Sequence, residues 1–226
     1  MDPRNTPRPR CTVYIDGFNF YYGIFENRPE WKWLNIQSFF EMIRSREDVV
    51  SIQYFTAIVD PKKGYSDRRE RQNLFLTALG TLPKVHVISG VFQPRIARCE
   101  AKCCEQFIVP QEKKTDVNIA IGMVDDCLKG HTDSVVLVSG DSDQEPAIHW
   151  IRNNYPKIAL SVYIPVLPNE KDSRRNDFYK SIGVQCGPLP LDGLMAHQFP
   201  RTVRLSKTQV VQRPLEWAKI SVLADS

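Results

Sequence analysis

The chain has 226 residues and a net charge of +4, with 42% apolar and 25% charged residues. These proportions are typical of a globular chain in water, and the length suits one large domain or one domain with an appendage. The mild positive charge does not by itself indicate a nucleic-acid-binding protein. The sequence has no run of about 18 apolar residues and no apolar core near its start, so we expect a cytoplasmic protein without a membrane span or secretory signal.

Strands and helices are predicted to alternate along the chain. Short apolar runs rich in β-branched residues predict strands at 11–16, 49–59, 84–92, 134–139, 158–164 and 184–186. Apolar residues at helical spacing predict helices at 18–25, 35–44, 66–79, 115–128, 143–153 and 173–181. In the fourth helix, one apolar stripe contains Val117, Ala120, Ile121, Val124 and Leu128. This alternation predicts an α/β fold, a three-layer α/β/α sandwich with a central, mainly parallel sheet.

The predicted organisation has three parts. Residues 1–10 form a basic arm that we expect to be flexible, and residues 11–186 form the domain. Residues 187–226, where proline is frequent and periodicity is poor, form a C-terminal tail that we expect to pack on the domain. Within the domain, residues 93–112 lack clear periodicity and predict an insertion outside the sheet, built as a hairpin or a cysteine knuckle.

Three of the six cysteines, Cys99, Cys103 and Cys104, cluster in this insertion. A tetrahedral zinc site would need a fourth ligand, which His86 or Cys186 supplies only if the fold brings one of them close. Zinc binding and plain surface thiols therefore both stay open for this cluster.

Two acidic segments stand out because each ends an apolar run with aspartate beside glycine. Asp16 follows the first predicted strand, and Asp141 and Asp143 follow the fourth. The carboxyl ends of parallel strands meet at one edge of a sheet, so we expect these carboxylates to lie together there. A third segment places Asp116 at the start of the predicted helix 115–128. Converging carboxylates repel one another unless a divalent cation neutralises them, so the pattern predicts a metal site.

Each aspartate also has an ordinary structural alternative. Asp-Gly pairs are common in turns, and Asp143 is suited to cap the helix predicted at 143–153. An aspartate such as Asp116 is favoured in the first turn of a helix without any metal. The combination of segments is more specific than any one of them, because all place aspartate at the same edge.

Three motifs occur in order along the chain: the Tyr-Ile-Asp-Gly-Phe-Asn start, the Lys-Thr-Asp-Val-Asn-Ile-Ala segment and the Ser-Gly-Asp-Ser-Asp turn. Together they resemble the NYN domain family, PIN-like nucleases that include the LabA-like group. Their order and rough spacing match the family over about residues 11–186, and the tail is similar to the end of some LabA-like proteins. The resemblance implies a PIN-like fold and metal-dependent hydrolysis of RNA. Some relatives carry Cys-x-x-Cys before the second motif, and the segment Cys99-Glu-Ala-Lys-Cys103-Cys104 departs from that spacing.

The resemblance also assigns the site residue by residue. The family's first-strand aspartate matches Asp16, and the asparagine near it matches Asn19. The aspartate of its central helix matches Asp116, and its late acidic pair matches Asp141 and Asp143. These five residues are the catalytic candidates.

Carboxylates are the donors that Mg²⁺ or Mn²⁺ prefers, and such ions assist phosphodiester cleavage. We expect Asp16 and Asp141 to bind the ion directly. Asp116 and Asp143 are expected to bind it directly or through water, or to orient the attacking water. Asn19 is expected to position Asp16 or the substrate. Phosphate-binding candidates beside the acidic edge are Lys113, Lys114, Arg174 and Arg175.

The leading function is a metal-dependent endoribonuclease acting on single-stranded or structured RNA. The alternative is a catalytically silent RNA-binding or regulatory module on the same fold, and a homo-oligomer is left open. A haloacid-dehalogenase-type phosphohydrolase would need a second aspartate at position 18, where Phe18 stands. The aromatic residues at 18–22 predict helix packing, whereas Trp31 and Trp33 are the candidates for stacking on bases.

Overall fold

The structure is a computed structural model that describes residues 7–58, 66–98, 106–167 and 173–218. Its strands are β1 (Arg10–Asp16), β2 (Asp48–Thr56), β3 (Val85–Ser89), β4 (Val91–Arg98), β5 (Gln106–Lys113), β6 (Ser134–Val138), β7 (Ala159–Ile164), β8 (Gln185–Pro188), β9 (Thr202–Arg204) and β10 (Val210–Gln212). Its α-helices are α1 (Gly17–Phe20), α2 (Ile36–Ile43), α3 (Ser66–Leu79), α4 (Thr115–Leu128), α5 (Glu145–Asn154) and α6 (Ser173–Ser181). None of the helices within these ranges has the length and apolar character needed to cross a membrane.

Six strands form the central sheet in the order β3-β2-β1-β6-β7-β8, and every neighbouring pair is parallel. Alternate residues of a strand point to opposite faces, so one strand serves two cores. On β1, Val13 and Ile15 pack in the same cluster as Phe39 of α2. Tyr14 points to the other face and belongs to the cluster of Met123 from α4. The predicted α/β sandwich with a parallel sheet is therefore confirmed.

The predicted strand 84–92 is two strands rather than one. β3 ends at Ser89, and Gly90 donates its backbone N–H to the carbonyl oxygen of Thr56 at 2.7 Å. The chain then leaves the sheet, and β4 pairs antiparallel with β5 in a separate two-stranded sheet. The described residues of the predicted insertion thus form a hairpin. Cys99, Cys103 and Cys104 lie outside the described residues, so zinc binding there stays a prediction.

Helix α4 occupies the predicted residues but buries a different face. Val117, Ile121 and Leu128 of the predicted stripe are exposed by 61%, 61% and 58% of their surface. The buried residues are instead Thr115, Ile119, Met123 and Cys127. Both faces of the helix carry apolar residues, so helical spacing identifies the helix without showing which face meets the sheet.

The C-terminal segment completes the core around Trp33. The Trp33 indole Nε1–H donates to the carbonyl oxygen of Pro200 at 2.9 Å. Its ring lies 5.7 Å from Phe199 and 6.1 Å from Trp217, measured between ring centroids. Trp33 is fully buried, so the expectation that it stacks on a base is wrong. Trp31 is partly buried beside this core, with the Arg28 guanidinium 4.9 Å from its ring centroid.

Candidate metal centre

Asp16 ends β1 and caps α1 with its side chain. One carboxylate oxygen, Oδ1, accepts the backbone N–H groups of Phe18 at 3.1 Å and Asn19 at 3.0 Å. The other, Oδ2, accepts from Asn19 Nδ2 at 2.6 Å and from the Ser139 hydroxyl at 3.1 Å. Burial raises the pKa of Asp16, and these hydrogen bonds act against that rise. The Asp16 side chain is thereby held rigidly at the carboxyl edge of the sheet.

Asn19 and Ser139 connect the ends of β1 and β6. Asn19 Oδ1 accepts the backbone N–H of Gly140 at 3.1 Å, while its Nδ2 donates to Asp16. The Ser139 hydroxyl donates to Asp16 and accepts the backbone N–H of Asp141 at 3.0 Å. The two acidic segments thus form one hydrogen-bonded unit, because the sheet places β1 and β6 side by side.

Asp141 caps the short turn of 3-10 helix that follows β6. Its Oδ1 accepts the backbone N–H of Asp143 at 3.0 Å, which fixes the loop that carries both carboxylates. The structural alternative for Asp143, a cap for the following helix, is not observed, because Gln144 occupies the cap position of α5 and makes no side-chain capping bond.

Asp116, Asp141 and Asp143 converge at this edge. Each offers a carboxylate oxygen, and these oxygens lie within 4.8 Å of one another. Burial raises the pKa of Asp116, and the charges of Asp141, Asp16 and Asp143 raise it further. Each neighbouring charge makes ionisation of Asp116 harder, and a divalent cation between them would reverse that effect. The structure therefore brings together three of the four predicted aspartates, and Asp16 lies outside this group and acts on Asp116 through its charge.

The donor set fits a hard divalent cation. Three carboxylates of mixed exposure are typical ligands of Mg²⁺ or Mn²⁺. Two buried oxygens, Gln144 Oε1 and Thr115 Oγ1, have no hydrogen-bond partner in the described part of the chain. A buried polar atom without a partner is costly, so these two oxygens are able to accept a hydrogen bond from a water molecule or a ligand.

Residues 10–179 match the model of the NYN domain. The chain belongs to the NYN domain family, a PIN-like nuclease family. A 6-hydroxy-3-succinoylpyridine 3-monooxygenase of Pseudomonas putida, HspA, is 28% identical over 240 aligned positions, which cover 92% of this chain and 75% of that protein. A protein of unknown function from Vibrio parahaemolyticus shares the fold with a TM-score of 0.51 at 19% identity, over 81% of this chain and 94% of that one.

Gln144 is the residue of this NYN domain that the sequence did not reveal. It is fully buried, and its Nε2 donates to both the backbone oxygen and the Oδ1 of Asp116 at 3.3 Å. Gln144 therefore orients the Asp116 carboxylate, whose pKa the neighbouring aspartates raise. The only signal in the sequence is a glutamine directly after the Ser-Gly-Asp-Ser-Asp turn, and nothing there shows that it points inward.

The predicted phosphate-binding residues have different outcomes. Lys113 and Lys114 are exposed at the junction between the β4–β5 hairpin and α4, two or three residues before Asp116. Lys114 has a positive φ of 80°, which turns the chain sharply into the helix. Arg174 and Arg175 lie in α6, but their side chains are outside the described part of the structure. A role in binding RNA stays a prediction for all four.

Proposed function

We propose that this NYN domain is a metal-dependent endoribonuclease that hydrolyses RNA phosphodiester bonds at its acidic edge. The observation that carries the proposal is the convergence of Asp116, Asp141 and Asp143 oxygens within 4.8 Å. Membership of the NYN family supports the choice of substrate, because NYN nuclease domains typically act on RNA.

In this proposal Asp116, Asp141 and Asp143 hold the ion. A bound Mg²⁺ or Mn²⁺ supplies positive charge for the phosphoryl oxygens and makes a water molecule easier to deprotonate. Asp143, the most exposed of the three, would accept the proton of the attacking water at its carboxylate. Lys113 and Lys114, both exposed, would bind the flanking phosphates.

Asp16 has a different role in the proposal. A carboxylate has about four acceptor sites, and Asp16 already accepts four hydrogen bonds from Phe18, Asn19 and Ser139. A direct bond to the ion would require that one of these be given up. We therefore propose that Asp16 positions the edge through Asn19 and Ser139, and acts on the ion through its charge.

Cleavage of end-labelled RNA by pure protein with Mg²⁺ or Mn²⁺ tests the proposal. The variant Asp116→Asn is expected to lower the cleavage rate by orders of magnitude. Asp125→Asn is the matched control on the same helix, because Asp125 pairs with Lys129 at the far end of α4. RNA that binds without being cut would support the catalytically silent module instead, and equal rates for both variants would refute the site.

A second candidate comes from the relative in Pseudomonas putida, whose name describes oxygenation of a substituted pyridine. Oxygenation of a small aromatic acid would need molecular oxygen and a two-electron reductant. Incubation of the protein with both, and with a pyridine carboxylate, tests this candidate by mass spectrometry. A product that has gained one oxygen atom would favour it over RNA hydrolysis.

A further inference from the structure

A cavity of about 460 Å³ is lined in part by residues of α1 and α3. Its wall includes Gly17, the residue after Asp16. Aromatic rings dominate the lining, among them Phe18, Tyr21, Tyr22, Tyr54, Phe75 and Trp217. The volume lies within the range of small-molecule sites, about 300–1,000 Å³. The metal centre described above does not use this cavity.

Two of the rings that line the cavity are open to solvent. Tyr22 is 55% exposed and Tyr21 is 36% exposed, although both are large aromatic residues. The two rings meet edge to face with centroids 5.3 Å apart, and Phe18 stacks on Tyr22 at 6.3 Å. Such a group of partly exposed rings offers a flat ligand several surfaces for stacking.

The lining is also charged. Lys32 Nζ donates to the Tyr21 hydroxyl at 3.1 Å and to the Glu26 backbone oxygen at 2.9 Å, and neither acceptor carries a charge. Arg71 pairs at 3.1 Å with Glu216, whose side chain is 63% exposed. Two acidic residues, Glu26 and Glu216, line the cavity together with three basic ones, Lys32, Arg68 and Arg71. The lining thus carries a net positive charge, with the Lys32 ammonium at Tyr21.

We propose that this cavity binds a flat aromatic ring that carries an anionic group, with the ring against Tyr21 and Tyr22 and the anion near Lys32. Two sources share this chemistry, a nucleotide unit of RNA and a free aromatic carboxylate. In either case the ligand would contact a wall that includes Gly17, the residue after Asp16. The proposal concerns binding and does not rest on RNA cleavage.

Isothermal titration in EDTA separates ring, anion and source without involving the metal centre. The probes are adenosine 5′-monophosphate, pyridine-3-carboxylate and ribose 5-phosphate, which has the anion without the ring. At least one of the first two is expected to bind with a dissociation constant below about 1 mM. Binding of the nucleotide alone identifies an RNA subsite, and binding of the carboxylate alone identifies a site for small aromatic acids. The proposal fails if neither binds, or if ribose 5-phosphate binds equally well.

Two variants locate the binding. Tyr22→Ala is expected to weaken binding about fivefold or more, the usual loss of one stacking partner. Lys32→Gln is expected to weaken binding of whichever charged probe binds. Binding of the matching neutral analogue, adenosine or pyridine-3-carboxamide, is expected to stay unchanged. The matched controls, expected to bind like the parent, are Trp150→Ala, an aromatic residue 41% exposed on α5, and Lys129→Gln. Unchanged affinity in both Tyr22→Ala and Lys32→Gln would place the ligand elsewhere and overturn the proposal.

Discussion

The Ser139 hydroxyl connects the two acidic segments at the edge of the sheet. It donates to Asp16 and accepts from the backbone of Asp141, so it links the carboxylate of β1 to the loop after β6. Both Ser139 and Asp16 are buried. A buried carboxylate that loses a hydrogen-bond donor keeps its desolvation cost without compensation.

Replacing Ser139 by alanine is therefore expected to destabilise the fold by about 1–3 kcal/mol, the cost of an unsatisfied buried polar group. Urea denaturation measures the change. Ser181→Ala is the control, because the Ser181 hydroxyl donates to the backbone oxygen of Phe178 at the exposed end of α6. It is expected to change stability by less than about 0.5 kcal/mol. Equal stabilities for the two variants would show that the Ser139 bridge contributes nothing.

The raised pKa of Asp116 predicts a pH-dependent effect on stability. The folded protein binds the Asp116 proton more tightly than the unfolded chain, so stability falls as pH rises from about the ordinary aspartate pKa of 3.8 through the raised value. Asp116→Asn cannot ionise and escapes this loss. In EDTA the variant is expected to be more stable than the parent at neutral pH, with the difference shrinking below pH 3.8. Denaturation at both pH values measures it, and a difference independent of pH would contradict the mechanism.

At the scale of elements, the two apolar faces of α4 contribute differently to stability, because one is buried and the other is exposed. Met123 is fully buried against the sheet, whereas Ile121 is 61% exposed. Met123→Ala is expected to cost about 2–5 kcal/mol through lost packing and a residual cavity. Ile121→Ala, the control two residues away, is expected to cost less than about 1 kcal/mol. Thermal or urea unfolding compares them, and a larger loss at Ile121 would mean that a partner covers the exposed face.

The sequence predicts elements best where a local signal marks their ends. Asn35 caps α2 as expected, since its Oδ1 accepts the backbone N–H of Ser38 at 3.0 Å. The limits of α4 are likewise marked, by an aspartate in its first turn and by Gly130 just beyond its end. The break at Gly90 was missed, because leaving the sheet depends on which strand lies next to β3 and not on the residues at the break.

At the scale of the molecule, the acidic edge was predictable and the aromatic cavity was not. Parallel strands all end at one edge, so aspartates that follow β1 and β6 must meet whatever the details of packing. The cavity instead joins Phe18, Phe75 and Trp217, which lie far apart along the chain. No local pattern marks such a site, and the polar sequence around Trp33 gave a misleading signal for the same reason.

The assembled edge gives a prediction that combines stability and activity. Asp141→Asn keeps the cap to the backbone of Asp143, because asparagine caps about as well as aspartate, and it removes one of the converging charges. Stability without metal is expected to stay level or rise slightly. Stabilisation by Mn²⁺ should shrink, and RNA cleavage should fall by orders of magnitude. Melting curves with and without Mn²⁺, beside a cleavage assay, measure both effects. A variant that melts at a lower temperature yet cuts RNA at the parental rate would refute the catalytic role of Asp141.

The position of Trp33 under the C-terminal segment affects how the protein emerges from the ribosome. Trp33 is covered by Phe199 and Trp217, and Trp217 is synthesised 184 residues later, the difference between positions 217 and 33. At about 5–20 residues per second, Trp33 is made roughly 10–40 seconds before Trp217, which packs on it in the folded protein. During that interval the nascent chain exposes the apolar surface around Trp33, while most strands of the sheet have already been synthesised. Folding in the cell is therefore expected to depend on chaperones that hold nascent chains until translation ends.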